Sequence, residues 1–269
     1  MTTPDPRPPA VAGMFYPAAA STLRASVDVM LAAAPATAMA QPKAIIVPHA
    51  GYIYSGPTAA CAYAALAPWR QTIRRVVLLG PTHRVAVRGL ALPSCRAFAT
   101  PLGEIRLDTA AMAALDELPQ VRRNDAAHAL EHSLEVQLPF LQRALDEFTL
   151  IPLAVGQAEP EAVAEVLECL WGGDETLLVI SSDLSHFLPY ATAQQVDRNT
   201  CQHILALDAR LDPEQACGAY PINGLLLLAG RRGLQAGLLE CCNSGDTAGD
   251  RERVVGYAAF AFHPPAAHG

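Results

Sequence analysis

The chain has 269 residues, 51% hydrophobic and 17% charged, with a net charge of −7. That length suits one large α/β domain or two small ones, burying roughly 75% of the unfolded surface, and the acidic balance excludes the basic field that a nucleic-acid backbone requires. Seven cysteines (61, 95, 169, 201, 217, 241 and 242) form no small-scaffold pattern, which favours a reducing, cytoplasmic setting over a disulfide framework.

In chain order, MTTPDPRPPA is a Pro-rich leader expected as an extended arm over residues 1–10, and a short apolar element, AVAGMFYP, follows. Residues 18 to 34 have helical character; the adjoining MLAAAPATAMAQ ends in an A-x-A pattern, yet it carries Pro35, follows Arg24 and Asp28, and lacks the apolar stretch of a signal peptide. No run reaches the ~18 apolar residues of a membrane span. Strand AIIV leads into a loop, HAGYIYSGP, whose Gly51 and Gly56 permit tight turns, and TAACAYAAL then forms a helix. Strand RRVVLLG runs into PTHRVAVRG, and GLALPS through PLGEIRL has the short alternating segments of a hairpin insertion.

EHSLEVQLPFLQRALDEF has helical period, with Leu134, Leu138, Leu141 and Leu145 on one face despite Pro139. TLIPLAVG, a helix over 160 to 170 and LLVISSD make a further βαβ-like unit, followed by a long helix from 191 to 209, a core helix around GLLLLAG and a closing strand, VVGYAAFAF. No linker or repeat divides the chain. The expectation is a single α/β domain spanning 1–269, with a mostly parallel central sheet flanked by helices.

Three of the apolar runs stop at residues that can bind metal or move protons: AIIVPHAGY at His49, VVLLGPTHR at His83, and LLVISSDLSH at Asp183 and His186. Short β-branched runs of this kind predict buried parallel strands, and ligands of open α/β sheets sit beyond the carboxyl ends of such strands. His49 and His83 are therefore candidate metal ligands, since neutral imidazole suits iron, copper and zinc, and a carboxylate would complete a 2-His-1-carboxylate face. Asp183 and His186, three apart, would lie about 5 to 6 Å from each other on one helical turn, as an oriented acid/base pair; alternatively Ser181, Ser182 and Asp183 are N-cap residues. His132 opens the EHSLE segment, and His128, His203, His263 and His268 are expected at the surface. The loop CCNSGDTAGD offers Cys241, Cys242 and Asp246, although adjacent cysteines in extended chain point to opposite faces. CxxC pairs, GxSxG, a Walker loop and GxGxxG are all missing, which removes the structural-zinc, hydrolase and nucleotide-binding patterns.

The ordered motifs RPPAVAGMFYP, PHAGYIYSG, GPTH, EHSLEVQLPFLQ, SSDLSHF, CGAYPI, NSGD and VVGYAAFAF resemble the Memo family, which includes bacterial members called AmmeMemoRadiSam system protein B. The resemblance covers nearly the whole chain. It implies a fold similar to class III extradiol dioxygenases, whose iron is held by two His and a carboxylate beside an acid/base His. Carried onto this sequence, it implies His49 and His83 as metal ligands and His186 as the acid/base residue, with His132 and Asp183 in the pocket wall. Some members place a Cys as third ligand, but the matching position here is Thr247, next to Asp246; Asp246 is the expected ligand, with Cys242 as the alternative. Iron is the expected ion, with copper or zinc as alternatives. Three functions follow: a metal-dependent, dioxygenase-like oxidoreductase; a module that binds a peptide or small molecule through a vestigial metal pocket; or a partner of a radical-SAM enzyme and an AMMECR-like protein.

Overall fold

A computed structural model describes residues 6–36 and 39–265. The N-terminal arm's first five residues, part of MLAAAPATAMAQ and His268 lie outside the described residues. Along the chain run α1 (Ala20–Ala33), β1 (Ala44–Val47), α2 (Tyr52–Ala64), β2 (Arg75–Pro81), β3 (Leu90–Leu92), β4 (Ala97–Thr100), β5 (Gly103–Arg106), α3 (Thr109–Ala114), β6 (Val121–Arg123), α4 (Asp125–Ala129) and α5 (Leu138–Ala144). The second half adds β7 (Thr149–Val155), α6 (Pro160–Cys169), β8 (Thr176–Ser181), β9 (His186–Leu188), α7 (Tyr190–Leu205), α8 (Ala219–Arg232), β10 (Gln235–Asn243) and β11 (Val254–His263).

The main sheet has the order β10-β11-β1-β8-β2-β7-β3-β6, with β9 paired to β11, while β4 and β5 form a separate hairpin. Its centre, β1-β8-β2-β7, is parallel throughout. Antiparallel neighbours flank it, β11 on β1 and β3 on β7. Every residue of β1 and β8 is buried, as expected of apolar runs with no alternation, so helices must cover both faces. One layer joins α1, α2 and α5; another joins α6 and α8 over β2 and β8.

The topology turns three separate motifs into neighbours. β1, β8 and β2 are adjacent and parallel, and His49, Asp183 and His83 each lie two residues beyond the end of their strand. All three side chains therefore leave the same edge.

Several local expectations are corrected. The segment after His49 is helix from Tyr52 onward, and Gly56 serves packing rather than a turn: a Cβ there would meet Met30 Sδ of α1 at 2.5 Å. Pro139 does not interrupt a helix, because α5 begins at Leu138 and tolerates proline in its first turn. Only part of the insertion is a hairpin, since β3 joins the main sheet. The described part of the N-terminal arm is docked: Arg7 exchanges main-chain hydrogen bonds with Ala97 and Ala99, and its buried guanidinium pairs with Glu135 at 2.7 Å.

His128 is also corrected, from surface to core. It is 2% exposed, its Nε2 lies 2.9 Å from the Ala91 carbonyl, and its Nδ1 has no partner among the described residues. Burial lowers its pKa to about 4, against the opposing pull of that carbonyl. The unfolded chain thus takes up a proton below the ordinary histidine value of 6.5 that the folded chain refuses until about pH 4, so stability is complete above this window and falls as the pH drops through it. Urea unfolding at pH 7.5 and pH 5 is expected to show about 2 kcal/mol more acid loss in the parent than in His128→Gln. Equal losses would show that this imidazole does not set the slope.

Candidate metal centre

His49, His83 and His132 each offer one ligand atom, and the three atoms lie within 4.8 Å of one another. Ring centroids stand 5.2 Å apart for His49 and His83, 5.3 Å for His49 and His132, and 4.6 Å for His83 and His132. Phe15 from the docked N-terminal segment packs on the outer side of His132, its ring centroid 4.6 Å away.

One carboxylate arranges two of these imidazoles. Glu131, almost fully buried, accepts from His83 N at 2.6 Å through Oε2, and its Oε1 accepts from His132 N and Ser133 N at 2.9 Å each. The same Oε1 is 2.8 Å from His83 Nδ1. An ionised carboxylate can only accept, so Nδ1 carries a proton and Nε2 is the nitrogen left for a metal. Burial pushes the Glu131 pKa upward, but the His83 imidazole and the converging N–H groups outweigh it and hold the acid at about 2. Gly80 makes this approach feasible: a Cβ there would meet Ser133 Oγ at 2.9 Å, the same oxygen that donates to Pro81 O at 2.8 Å.

His49 is held from two sides. Its main-chain N donates to Asp183 Oδ1 at 2.7 Å, and its Nδ1 is 2.8 Å from Ser181 Oγ. Burial keeps the imidazole well below its ordinary pKa, and the neighbouring His132, His83 and His186 push the same way. His132 falls to about 4, mainly through burial and then through His83. Both imidazoles are therefore neutral at neutral pH, the form that binds metal. Burial raises Asp183 to about 7, against the His49 N–H that stabilises its charge.

Asp183 and His186 do not share a helical turn. Residues 182–185 are irregular because their main chain is engaged elsewhere: Leu184 N donates to Gly256 O and Ser185 O accepts from Gly256 N, while Ser185 N donates to Asp197 Oδ1 at 3.0 Å. His186 instead opens β9, with Nδ1 2.8 Å from the Leu184 carbonyl. That carbonyl, not Asp183, sets its tautomer, leaving Nε2 unprotonated; burial lowers its pKa.

The third-ligand expectation meets a different geometry. Asp246 is exposed and spends its carboxylate locally, Oδ2 on Asn243 N at 3.0 Å and Oδ1 on the Tyr190 hydroxyl, while His132 occupies the third place in the cluster. Thr247 Oγ1 donates to Ser244 O at 3.2 Å. Cys242 Sγ lies 3.1 Å from Thr58 Oγ1, and burial raises the thiol to about 11. Cys241 points the other way, toward Cys201. Sequence reasoning missed Glu131, Ser181 and Cys217, whose Sγ is 3.3 Å from His49 Nε2. A carboxylate directly preceding His132 was the available signal for Glu131.

Fold and site together define an α/β protein with a histidine cluster at the carboxyl edge of a parallel sheet. A family model described as Memo-like protein matches residues 7–261. The chain is 36% identical to a "MEMO1 family protein" of Aquifex aeolicus, over 95% of this chain and 98% of that protein. A protein of the same description from Ignicoccus hospitalis is also 36% identical, over 96% and 99%. The chain belongs to the Memo family. An uncharacterised protein of Escherichia coli K12 shares the fold, with a TM-score of 0.53 and 14% identity over 81% of this chain and 98% of that one. No helix among the described residues is long and apolar enough to cross a membrane.

Removing the Glu131 carboxyl strands four N–H donors at once. Glu131→Ala is expected to cost about 3 kcal/mol or more in urea unfolding, whereas Asp246→Ala, at an exposed turn, should cost about 1 kcal/mol or less. Similar losses in the two variants would show that Glu131 does not hold the site together.

Proposed function

We propose that the protein is a metal-dependent enzyme of dioxygenase-like, oxidoreductase character, with His49, His83 and His132 holding one first-row ion and His186 acting as acid/base. The observation that carries this is the convergence of three imidazoles within 4.8 Å of one another. Ligand nitrogens around one tetrahedral ion sit roughly 3.4 Å apart, so the cluster closes on an ion through small ring movements. The donor set fits: His49 and His132 are neutral rings, and the Glu131 contact at Nδ1 leaves His83 to present Nε2. Three imidazoles without a carboxylate accept iron, copper or zinc.

An ion held in this way supplies Lewis-acid or redox chemistry at its open positions. The chain's own part is to orient and to move protons. Because Leu184 O holds the His186 Nδ1 proton, Nε2 is the atom that accepts a substrate proton and returns it. Phe15, packed against His132, shields that side of the cluster from water. The ligand is proposed as a small molecule or short peptide with a polar group for the metal.

Metal analysis of the purified protein should find one ion per chain. His49→Ala, His83→Ala and His132→Ala should each lose most of it, whereas Asp246→Ala should retain it; retention by all three histidine variants would refute the centre. His186→Ala should keep the ion and lower any turnover by ~10²- to 10⁴-fold. If it keeps the ion with turnover intact, the acid/base assignment is wrong.

A further inference from the structure

His49 is the most buried member of the cluster, and what surrounds it dictates which of its nitrogens bears the proton. Two main-chain carbonyls, which can only accept, set the direction of every hydrogen bond nearby. Ser133 O lies 2.6 Å from Ser181 Oγ, so the single Ser181 hydroxyl proton points there. Pro48 O lies 2.9 Å from the Gln137 side chain, so the amide NH₂ faces it, and the second proton of that NH₂ goes to Ser181 Oγ at 2.8 Å. This orientation also leaves Gln137 Oε1 to accept from the Tyr63 hydroxyl at 2.9 Å. Ser181 Oγ has by then given its proton to Ser133 and accepted one from Gln137, and its remaining lone pair faces His49 Nδ1 at 2.8 Å. Only an N–H can fill that contact. In the other tautomer, two lone pairs would meet at one of the two short contacts, with Ser133, Gln137, Ser181 and His49 all essentially sealed from water.

We infer that Ser181, with Gln137 behind it, is the positioning residue that locks His49 as the Nδ1–H tautomer and presents a bare Nε2 to the metal. A free histidine side chain in water prefers the opposite, Nε2–H tautomer, so the protein must impose this one. With Nε2 unprotonated, the Cys217 thiol 3.3 Å away is the donor of that contact in the metal-free protein. The same rule holds across the site by three different devices: Ser181 for His49, the Glu131 carboxylate for His83 and the Leu184 carbonyl for His186. All three rings carry their proton on Nδ1. Ser181 also sits at the end of β8, paired in register with Val47 of β1, so the orienting hydroxyl and the imidazole are set by adjacent strands of one sheet.

The metal-binding half of this inference rests on the proposed centre; the tautomer half does not. The test uses the full chain labelled with ¹⁵N-histidine, kept metal-free, with His49 signals assigned by their loss in His49→Gln. Long-range ¹H–¹⁵N spectra are expected to show Nδ1 as a protonated, pyrrole-type nitrogen and Nε2 as a bare, pyridine-type one. A protonated Nε2 in the parent overturns the inference outright. Zinc titration then reads the consequence: Ser181→Ala should weaken binding by about 10- to 100-fold, as loss of a ligand's orienting partner typically does, while Ser181→Thr, which keeps a hydroxyl, should restore most of the affinity and the parent's His49 spectrum. Unchanged affinity in a folded Ser181→Ala overturns the positioning role. If the parent shows the expected tautomer but takes up no zinc, the proposed metal centre fails while the tautomer lock stands.

Discussion

The buried Glu131 carboxylate is the constraint on which the site depends. The loop after β2 and the 131–133 segment are separated by 48 residues in the His83–Glu131 bond, and each brings main-chain N–H groups that a dry interior would leave unpaired. The carboxylate answers them in one place, and they in turn supply the stabilisation an ionised acid needs under burial. Neither half is tolerable alone. The consequence for chemistry is that His83 and His132, whose rings stack with centroids 4.6 Å apart, are also fixed relative to each other by one buried charge. The same segment continues to Glu135, whose carboxylate takes Arg7, the Tyr16 hydroxyl and the main chain of Ala10 and Val11. The N-terminal segment is thereby drawn across the cluster, which is why Phe15 reaches His132.

This arrangement explains why so many titratable groups sit together without mutual repulsion. Burial favours the neutral form of His49 and His132, leaving little positive charge to repel, while the one firmly ionised acid is satisfied by N–H donors. A parallel sheet suits the purpose. Adjacent strands end at one level, so residues two positions beyond β1, β2 and β8 meet without any long loop having to be ordered, and the conformational entropy of assembling the site is largely contained in that of forming the sheet.

The strands and the two strand-end histidines were legible because uninterrupted apolar runs encode burial directly, and a polar residue just past such a run has nowhere to go but the edge. Residues 182–185 were misjudged for the opposite reason. Ser-Ser-Asp is locally an excellent helix start, yet the main-chain groups of Leu184 and Ser185 just after it are taken by Gly256 and Asp197, partners that no local pattern reveals. Asp246 illustrates a related limit: its place beside the family's third-ligand position is visible in sequence, but the capping box with Asn243 that consumes its carboxylate depends on the fold of the turn. Glu131 was adjacent to a flagged histidine and still overlooked, because an acidic residue in a polar motif gives no sign that it will be buried.

His186 is held differently from the ligand candidates, and the difference bears on what it does. Among the described residues no side chain hydrogen-bonds its ring, and Phe187 touches it only edge-on at 5.7 Å; the Leu184 carbonyl sets its tautomer, and the pairing of β9 with β11 sets its main chain, with Val255 opposite His186 across a register shift. Phe187 follows in the left-handed region at φ 59°, a conformation costing a residue of this kind about 1–3 kcal/mol. Its ring stands exposed, with the Arg253 guanidinium 5.1 Å from its centroid. A regular strand would carry residue 187 onward and turn residue 186 with it, so this bend is what allows His186 to keep its Nδ1 contact with Leu184 while β9 still reaches β11. Metal ligands gain from being clamped through both ring and main chain, since any play lowers affinity. The proton carrier proposed for His186 gains from a fixed tautomer and an Nε2 that no hydrogen bond among the described residues occupies.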